Sequence, residues 1–420
     1  MSLRTLLSFS SSATFCSFFL GCGVALAADW PQYRGPNGDG TTDEKILTTW
    51  PTEGPKVKWK LPMGEGFGAV AVVGNQAFVM AERKKEEACV AIDVTTGKEV
   101  WSTPLGKTIF EGAGGNGPRS TPTIAGDLVY VLGTYLRLSC LSAKDGKVIW
   151  SHDLQAENNG QNDTKGIKQW GNSASPVVEG EVVMVAGGGS GQAFLIFDRK
   201  TGKLLSKHGD EKITHASPTP TEILGQRQVV FFTQQGLTSL DAKAGTVLWH
   251  ADFPWSTSTA ASPIIEGDVV YCSAGYGTGA GAFKISKQGQ NWKATELWRQ
   301  AGKLQNHWPT PIVSQGFLYG LYGFKEFKTM PLKCIEITTG KERWSQDGFG
   351  QGGTILVEDN VLIQGDQGQL VLAKATPEKY TELARAQVLS GKCWTMPTVA
   401  NGLVFCRSTK EIVCLDLKAK

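Results

Sequence analysis

A unit of about 45 residues recurs along this chain, and its period constrains the fold more than any other feature. The second unit, residues 119–150, is the clearest: RSTPTIAGDLVYVLGTYLRLSCLSAKDGKVIW holds four runs rich in β-branched residues. Turn pairs, Gly126 with Asp127 and Asp145 with Gly146, separate these runs, which predicts four short strands joined by tight turns. A proline marks the first strand of five units, at Pro122, Pro176, Pro218, Pro263 and Pro311.

Eight such units fit into the chain. From Pro311 to Pro397 is about two periods, which leaves room for a degenerate seventh unit. Four-stranded units of this length bury their faces against one another in a ring. The eighth unit lacks an outer strand, and residues 56–59 are an outer strand without a unit. The prediction is an all-β, eight-bladed β-propeller of four-stranded blades over residues 56–420, closed by an N-terminal outer strand that completes the last blade. A seven-bladed ring is the alternative.

In several units the turn into the outer strand follows, in whole or in part, the pattern Asp-x-x-Thr-Gly-Lys-x-x-Trp. Glycine in this turn supplies a positive φ angle. Asp93, Asp198 and Asp241 precede such turns and are predicted to accept backbone N–H groups. A large flat ring fills the wedge between two blades, so the outer-strand tryptophans are predicted to be core: Trp101, Trp150, Trp249, Trp298 and Trp344.

The amino-acid composition argues against two classes of binding partner. Only 19% of the residues are charged and the formal net charge is +3. So small a charge predicts neither nucleic acid nor an acidic membrane surface as partner. No apolar run beyond the N-terminal leader is long enough for a transmembrane span, so none is predicted in the mature chain.

The first 28 residues have the pattern of a secretory signal peptide. Arg4 supplies the positive start, an apolar stretch follows, and Ala25-Leu26-Ala27 is an A-x-A cleavage site. Residues 29–55, rich in Gly, Pro and Asp, then predict an irregular N-terminal arm. The expected location is therefore outside the cytoplasm, in the periplasm or cell envelope. A lipid anchor on Cys22 is the alternative to a free exported protein.

Seven cysteines follow the leader, and no two are adjacent or spaced Cys-x-x-Cys. A zinc site or redox pair is therefore not predicted. Most of these cysteines stand at apolar strand positions, where cysteine acts as a small hydrophobe. Export permits disulfides, but the spacing identifies no pair.

The residues just before each first strand occupy equivalent positions and are expected to ring the mouth of the central channel. They vary from unit to unit, and the mixture suits an anionic, aromatic or sugar-like ligand. The alternative is that they plug the channel and satisfy one another. The predicted cofactor- or ligand-binding set is Arg119, Trp170, Asn172, His215, His307, Trp308 and Trp394. Arg119 is the expected partner of an anion, and no catalytic residue is assigned.

Metal binding has little support in the sequence. Glu111 and Asn116 are side chains of the kind that Ca²⁺ takes as ligands. No dense set of carboxylates accompanies them, so neither a metal site nor bound Ca²⁺ is predicted.

The Asp-x-x-Thr-Gly-Lys-x-x-Trp repeat resembles that of the pyrroloquinoline quinone (PQQ)-like β-propellers, over about residues 56–420. That superfamily includes quinoprotein alcohol dehydrogenases and the lipoprotein of the outer-membrane barrel-assembly machinery. The stretches DWPQYRGPNGDG, GPRSTP and GKCWTMP look like a secreted bacterial subgroup of PQQ-binding-like repeat proteins. Such a repeat is specific for fold and weak for function.

The resemblance implies two kinds of function. In the dehydrogenases, PQQ lies between a tryptophan and a disulfide of adjacent cysteines, with Ca²⁺ held near a catalytic Asp. This chain has no Cys-Cys pair, and no such metal set aligns with it. The favoured prediction is a non-catalytic scaffold in the bacterial envelope that binds an envelope protein or small ligand at the channel mouth. The alternative is a PQQ-dependent alcohol or sugar dehydrogenase, and a third hypothesis is polysaccharide binding at the same mouth.

Overall fold

The computed structural model describes residues 29–110, 114–160, 170–324 and 328–419. The predicted signal peptide with Cys22 lies outside the described residues, as do Glu111 and residues 161–169. The described chain is almost entirely β-structure, with one short helix, α1 (Leu154–Glu157). No helix among the described residues is both long and apolar enough to cross a membrane.

The described residues form thirty-three strands, which make up eight sheets. Each sheet corresponds to one blade, whose successive strands are antiparallel. Two strands precede the first blade: β1 (Thr41–Thr42) and β2 (Lys56–Pro62). Blade 1 has β3 (Ala71–Val73), β4 (Gln76–Arg83), β5 (Glu86–Asp93) and β6 (Glu99–Lys107). Blade 2 has β7 (Thr123–Ala125), β8 (Leu128–Leu132), β9 (Arg137–Ser142) and β10 (Val148–Asp153). Blade 3 has β11 (Val177–Glu179), β12 (Val182–Ala186), β13 (Phe194–Asp198) and β14 (Leu204–His208).

The remaining blades repeat this plan. Blade 4 has β15 (Thr219–Ile223), β16 (Gln226–Thr233), β17 (Gly236–Asp241) and β18 (Val247–Asp252). Blade 5 has β19 (Ile264–Glu266), β20 (Val269–Ala274), β21 (Gly279–Gln288) and β22 (Asn291–Gln300). Blade 6 has β23 (Ile312–Ser314), β24 (Phe317–Leu321), β25 (Leu332–Glu336) and β26 (Glu342–Gln346). Blade 7 has β27 (Gly353–Val357), β28 (Asn360–Gln364), β29 (Gln369–Lys374) and β30 (Glu382–Gln387), and blade 8 has β31 (Thr398–Ala400), β32 (Leu403–Arg407) and β33 (Glu411–Asp416).

The predicted eight-bladed propeller is confirmed. In every blade the first strand is innermost, and the first strands of several neighbouring blades contact one another around the channel. The missing outer strand of blade 8 is β2, which pairs antiparallel with β33 and places Trp59 opposite Cys414. The ring is thereby closed through strand hydrogen bonds, which leaves no open sheet edge at the seam.

The tryptophan and the glycine of the repeat are explained by one contact between blades. The indole N–H of Trp59 donates to the Val94 carbonyl (2.8 Å), and that of Trp101 donates to the Ala143 carbonyl (3.0 Å) of the next blade. The turn glycine of the next blade lies against the ring: a Cβ on Gly97, whose φ is +71°, would be 2.7 Å from the Trp59 indole. The same bond to the next blade is made by Trp150, Trp298 and Trp344. Trp249 differs, because its indole N–H donates to the Gln228 side chain of its own blade (2.7 Å), although its ring packs with Val270 and Phe283 of blade 5. The prediction that these rings fill the wedges between blades is thus confirmed, with Trp150 and Trp249 buried and Trp101, Trp298 and Trp344 partly buried.

The aspartates of the repeat hold its turns together. Asp93, Asp198 and Asp241 each accept the backbone N–H three residues further on, at 2.7, 2.8 and 2.6 Å. The predicted structural role of these carboxylates is confirmed. Hydrogen bonds to the ionised form lower the pKa of Asp93 and Asp198.

The predicted arm crosses one end of the channel and is irregular except for β1. Its backbone bonds Val72 of blade 1 through Trp30, and Ile124 of blade 2 through Pro31. Further along, β1 pairs in parallel with β27 of blade 7, and Glu44 accepts two N–H groups from a turn of blade 8. These contacts lie at the far ends of the first strands, so the arm closes the end of the channel opposite the mouth.

The hydrophobic core lies between blades, and the cysteines belong to it. Tyr130 and Leu132 of blade 2, for example, pack with Val183 and Val185 of blade 3. The seven cysteines among the described residues are free and buried: Cys89, Cys140, Cys272, Cys334, Cys393, Cys406 and Cys414. Burial raises the pKa of several thiols, that of Cys140 and that of Cys334 to about 12.

These thiols are expected to be inert in the folded protein, because a thiol must be exposed and ionised to react. A chain of residues 29–420 treated with Ellman's reagent should release no colour in the time that free cysteine needs. After unfolding in guanidinium without reductant, all seven thiols should react. A smaller count in the unfolded protein would reveal a disulfide and contradict the assignment.

Candidate functional site

A cavity of about 640 Å³ opens at the channel mouth, where the loops that lead into the first strands converge. All eight blades contribute to its lining, and the arm forms its floor. We call this cavity the cup. Its volume lies within the roughly 300–1,000 Å³ range of small-molecule sites.

Six of the seven residues predicted as the binding set line the cup: Arg119, Trp170, His215, His307, Trp308 and Trp394. Five of them converge because equivalent positions of the repeat face the same mouth, and Trp170 lies nearby on the loop that leads into β11. The seventh, Asn172, lies buried behind the wall. Its amide donates to the Ala174 carbonyl (3.0 Å) and accepts the Ala174 N–H (3.1 Å), so it fixes the loop that carries Trp170.

One half of the wall is a stack of aromatic rings. The centroids of Trp308 and Trp394 are 4.6 Å apart, and Phe67 stacks on Trp394 at 5.5 Å. The indole N–H of Trp308 donates to the Gln351 carbonyl (3.1 Å), which fixes the orientation of this ring. The Lys392 ammonium lies 4.5 Å from the centroid of Trp394, within the range of a cation–π contact.

The other half is built around Tyr276. Its ring centroid lies 5.0 Å from that of His307, 4.5 Å from Phe324 and 6.3 Å from Trp170. The His215 ring follows, 6.1 Å from Trp170, and its Nδ1 lies 3.1 Å from the hydroxyl of Ser258. Aromatic rings therefore surround most of the mouth.

Tyr276 and Phe324 were not predicted from the sequence. Both come from loops between the second and third strands of blades 5 and 6, not from the loops before first strands. A signal is present in the structure: Tyr276 has φ of +56°, a left-handed conformation that bulky residues rarely adopt. Strained backbone of this kind is concentrated at functional sites.

Arg119 serves mainly to join two loops of the wall. Its Nε donates to the Trp170 carbonyl (2.8 Å), and Nη2 donates to the Gly115 carbonyl (2.9 Å). The guanidinium carbon lies 4.8 Å from the Phe67 centroid. Arg119 thus positions two rings of the wall and contributes positive charge beside the cup.

A belt of hydroxyl groups lies below the rings. Ser175 Oγ accepts the Thr121 N–H (2.9 Å), and Ser217 Oγ accepts the Ser175 N–H (2.9 Å). Thr310 Oγ1 accepts the Ser262 N–H in the same way (3.0 Å). These side chains stand directly before the marker prolines, a pattern present in the sequence but not used as a signal. Each of these hydrogen bonds joins one blade to the blade before it.

The floor of the cup comes from the arm, through Tyr33 and Arg34. The Tyr33 hydroxyl lies 3.2 Å from Thr310 Oγ1. Arg34 donates to the carbonyls of Thr310 (3.3 Å) and Pro311 (2.9 Å). The arm belongs to no repeat unit, so the repeat pattern does not connect it with the channel mouth.

The described lining of the cup contains two arginines and two histidines but neither Asp nor Glu. Glu111, the carboxylate considered for Ca²⁺, lies outside the described residues. Within the described part of the chain, no group of three or more His, Cys, Asp and Glu side chains is arranged to hold a metal. The described cup therefore offers stacking surfaces and positive charge.

Comparison with known protein families identifies the family to which this chain belongs. The family model described as outer membrane protein assembly factor BamB matches residues 41–205 and, in a second overlapping match, residues 84–320. The chain belongs to the PQQ-like β-propeller repeat family. The resemblance inferred from the Asp-x-x-Thr-Gly-Lys-x-x-Trp repeat is thus confirmed.

Several solved structures are similar to this chain in fold. BamB from Moraxella catarrhalis has a TM-score of 0.60 at 12% identity, over 87% of this chain and 98% of that one. The quinohemoprotein alcohol dehydrogenase from Comamonas testosteroni has a TM-score of 0.66 at 13% identity, over 94% and 81%. The computationally designed protein Ika8 has a TM-score of 0.57 at 12% identity, over 89% and 100%. No curated protein matches the sequence.

PQQ is planar and carries carboxylate groups, so its fit to the cup is a question of stacking and charge. The faces of Trp308 and Trp394 suit a planar ring, and Arg119 and Arg34 supply positive charge. The described lining has no carboxylate to hold Ca²⁺ or to act as a general base. These residues fit the binding of a planar anionic molecule and do not fit metal-assisted dehydrogenation.

Proposed function

We propose that this PQQ-like propeller is an exported, non-catalytic binding protein that takes a small ring-shaped ligand into the cup. The band of aromatic rings around a cavity lined from all eight blades supports this proposal most directly. Aromatic faces bind planar or sugar rings by stacking, at low cost in conformational entropy. The lack of carboxylates in the described lining favours binding over acid–base catalysis.

Export follows from the signal peptide predicted over residues 1–28, and the proposed location is the periplasm or cell envelope. A lipid anchor on Cys22 is the alternative form of the same proposal. Binding of an envelope protein at the mouth is the competing scaffold function, in keeping with the name of the matched family model.

A PQQ-dependent oxidoreductase acting on an alcohol or sugar is the second candidate function. The broad faces of Trp308 and Trp394, 4.6 Å apart between centroids, favour it because a planar quinone stacks on indole. His215 and His307 are possible bases within the cup, but the metal site would have to come from residues beyond the described lining.

The test is a titration of residues 29–420 with PQQ, with and without Ca²⁺, followed by tryptophan fluorescence and calorimetry. An anilinonaphthalene sulfonate and a glycan array extend the search to other ring compounds. Saturable binding without dye-linked turnover of alcohols or sugars supports the binding protein. Turnover that requires both PQQ and Ca²⁺ supports the oxidoreductase, and the absence of any ring ligand leaves the protein-binding scaffold.

Trp308→Ala is expected to weaken binding of the ring compound roughly tenfold, since stacking on one aromatic side chain contributes about 1–3 kcal/mol. The matched control is Trp50→Ala, because Trp50 lies in the arm, outside the cup, and its indole N–H donates to Leu47. Dissociation constants of both variants are measured by fluorescence titration. Equal affinities in the two variants would place the ligand elsewhere.

A further inference from the structure

The floor of the cup holds a buried cation that forms no ion pair within the described part of the chain. Arg34 is 1% exposed. It donates through Nη1 to the Thr310 carbonyl and through Nη2 to the carbonyls of Pro311 and Asp39. Its Nε is buried and has no hydrogen-bond partner among the described residues. The guanidinium is thus held in place by carbonyl groups and retains unused N–H donors.

Asp39 attracts this guanidinium through space, but no acidic side chain of the described residues forms an ion pair with it. The carboxylate of Asp39 accepts the N–H and hydroxyl of Thr41 instead. On the side away from the cup, a cavity of about 200 Å³ is lined by Arg34, Asp39 and Glu222 among others. On the side of the cup, the described lining has no acidic residue.

The backbone around Arg34 is strained. Arg34 itself has φ of +65°, and Gly35, Gly38 and Gly40 also have positive φ angles. A Cβ on Gly40 would lie 3.0 Å from Nη2 of Arg34, so the chain folds closely around the guanidinium. A left-handed conformation is unfavourable for a non-glycine residue and persists where the surrounding structure imposes it. The arm is therefore built to hold this side chain at the floor.

A buried charge is costly unless it is paired, and an anion that enters the cup would pair it. We propose that Arg34 binds a carboxylate group of the ligand, at the floor of the cup, while the ring of the ligand stacks on the aromatic wall. The ligand class is therefore a ring compound with an anionic group at one end. This inference rests on the proposed function and adds the chemistry that selects the ligand.

The test compares two probes that differ only in charge, naphthalene-2-carboxylate and naphthalene-2-carboxamide. The wild-type protein is expected to bind the carboxylate roughly ten- to a hundredfold more tightly, since hydrogen bonds to charged groups are the stronger ones. Arg34→Gln should bind the two probes with about equal affinity, because it loses affinity for the carboxylate and retains its affinity for the amide. Arg34→Lys keeps the charge without the planar fork and should retain part of the preference.

The matched control is Arg199→Gln. Arg199 is a partly buried arginine outside the cup, paired with Glu181 at 3.0 Å, and its Nε also lacks a partner among the described residues. This variant should keep the full preference for the carboxylate. Thermal melts establish that each variant is folded, and the wild-type preference tests the proposal even if Arg34→Gln does not fold.

The outcomes separate the two proposals. If both probes bind the wild-type protein equally, the anion site is refuted while the ring-binding cup stands. If the preference survives in Arg34→Gln and disappears in Arg119→Gln, the anion lies at the mouth and the proposal for Arg34 is wrong. If neither probe binds, the proposed function fails, and the anion site fails with it.

Discussion

Trp59→Ala is expected to lower the free energy of unfolding by about 3–5 kcal/mol, the usual cost of removing a buried tryptophan. Trp59 lies on β2, the strand that closes the ring, and its indole N–H donates to the Val94 carbonyl of blade 1. Its ring also covers Gly97 and lies 5.9 Å from the ring of Phe405. The substitution therefore removes contacts between the first and last blades as well as apolar burial.

The measurement is guanidinium unfolding of residues 29–420, followed by circular dichroism. The matched control is Val57→Ala, on the same strand but with a 47% exposed side chain, for which a change of no more than about 0.5 kcal/mol is expected. If both substitutions cost the same, strand pairing alone holds the seam and the interpretation of Trp59 is wrong.

Glu87 is expected to make the protein less stable as pH rises from 5 to 8. This carboxyl group is 2% exposed, and burial raises its pKa from 4.5 to about 7, although Thr134 N–H and hydroxyl groups bond it. Between these two pKa values the folded state holds more protons than the unfolded state, so stability falls with rising pH. The full shift corresponds to at most about 3 kcal/mol.

Glu87→Gln removes this titration while preserving the shape of the side chain. Relative to the wild-type protein, the variant should gain about 1–3 kcal/mol at pH 8 and nothing at pH 4.5. Urea unfolding at several pH values measures the difference, and Glu86→Gln, at the exposed neighbouring position, is the control. A difference that does not vary with pH would show that Glu87 has the same pKa in the folded and unfolded states, and that its pKa is not raised by burial.

This carboxyl group also supports the wall of the cup. Thr134, which bonds Glu87, accepts the N–H of Asn172 through its carbonyl (2.9 Å). Asn172 in turn fixes the loop of Trp170. We therefore expect loss of Glu87 to affect ligand binding only through the position of Trp170.

The fold could be predicted because its signals are local and recur in several blades. A turn glycine with a tryptophan four residues later stands in blades 1, 2, 4 and 6, and Gly97 packs against Trp59 as Gly146 packs against Trp101. The closure by β2 could also be predicted, because residues 56–59 are an outer strand without a unit and the eighth unit lacks an outer strand. The arm could not be placed in this way, because its contacts with Val72, Ile124 and Leu356 are long-range and follow no period.

The site could be predicted only where it follows the repeat. Trp308 and Trp394 stand at equivalent positions before first strands, so their convergence was expected. Tyr276 belongs to a different loop and Arg34 to no blade, so neither shares that register. Asn172 does share it, but its amide completes hydrogen bonds within its own loop instead of reaching the cup.

The pairing of β2 with β33 also determines when this protein is able to finish folding. Pro62 pairs with Glu411, so β2 is synthesised long before β33, the strand with which it pairs. Contacts so distant in sequence form slowly, and incomplete sheets leave apolar faces and strand edges open to other chains. Ring closure is therefore a late step of folding, because it requires that blade 8 has been synthesised.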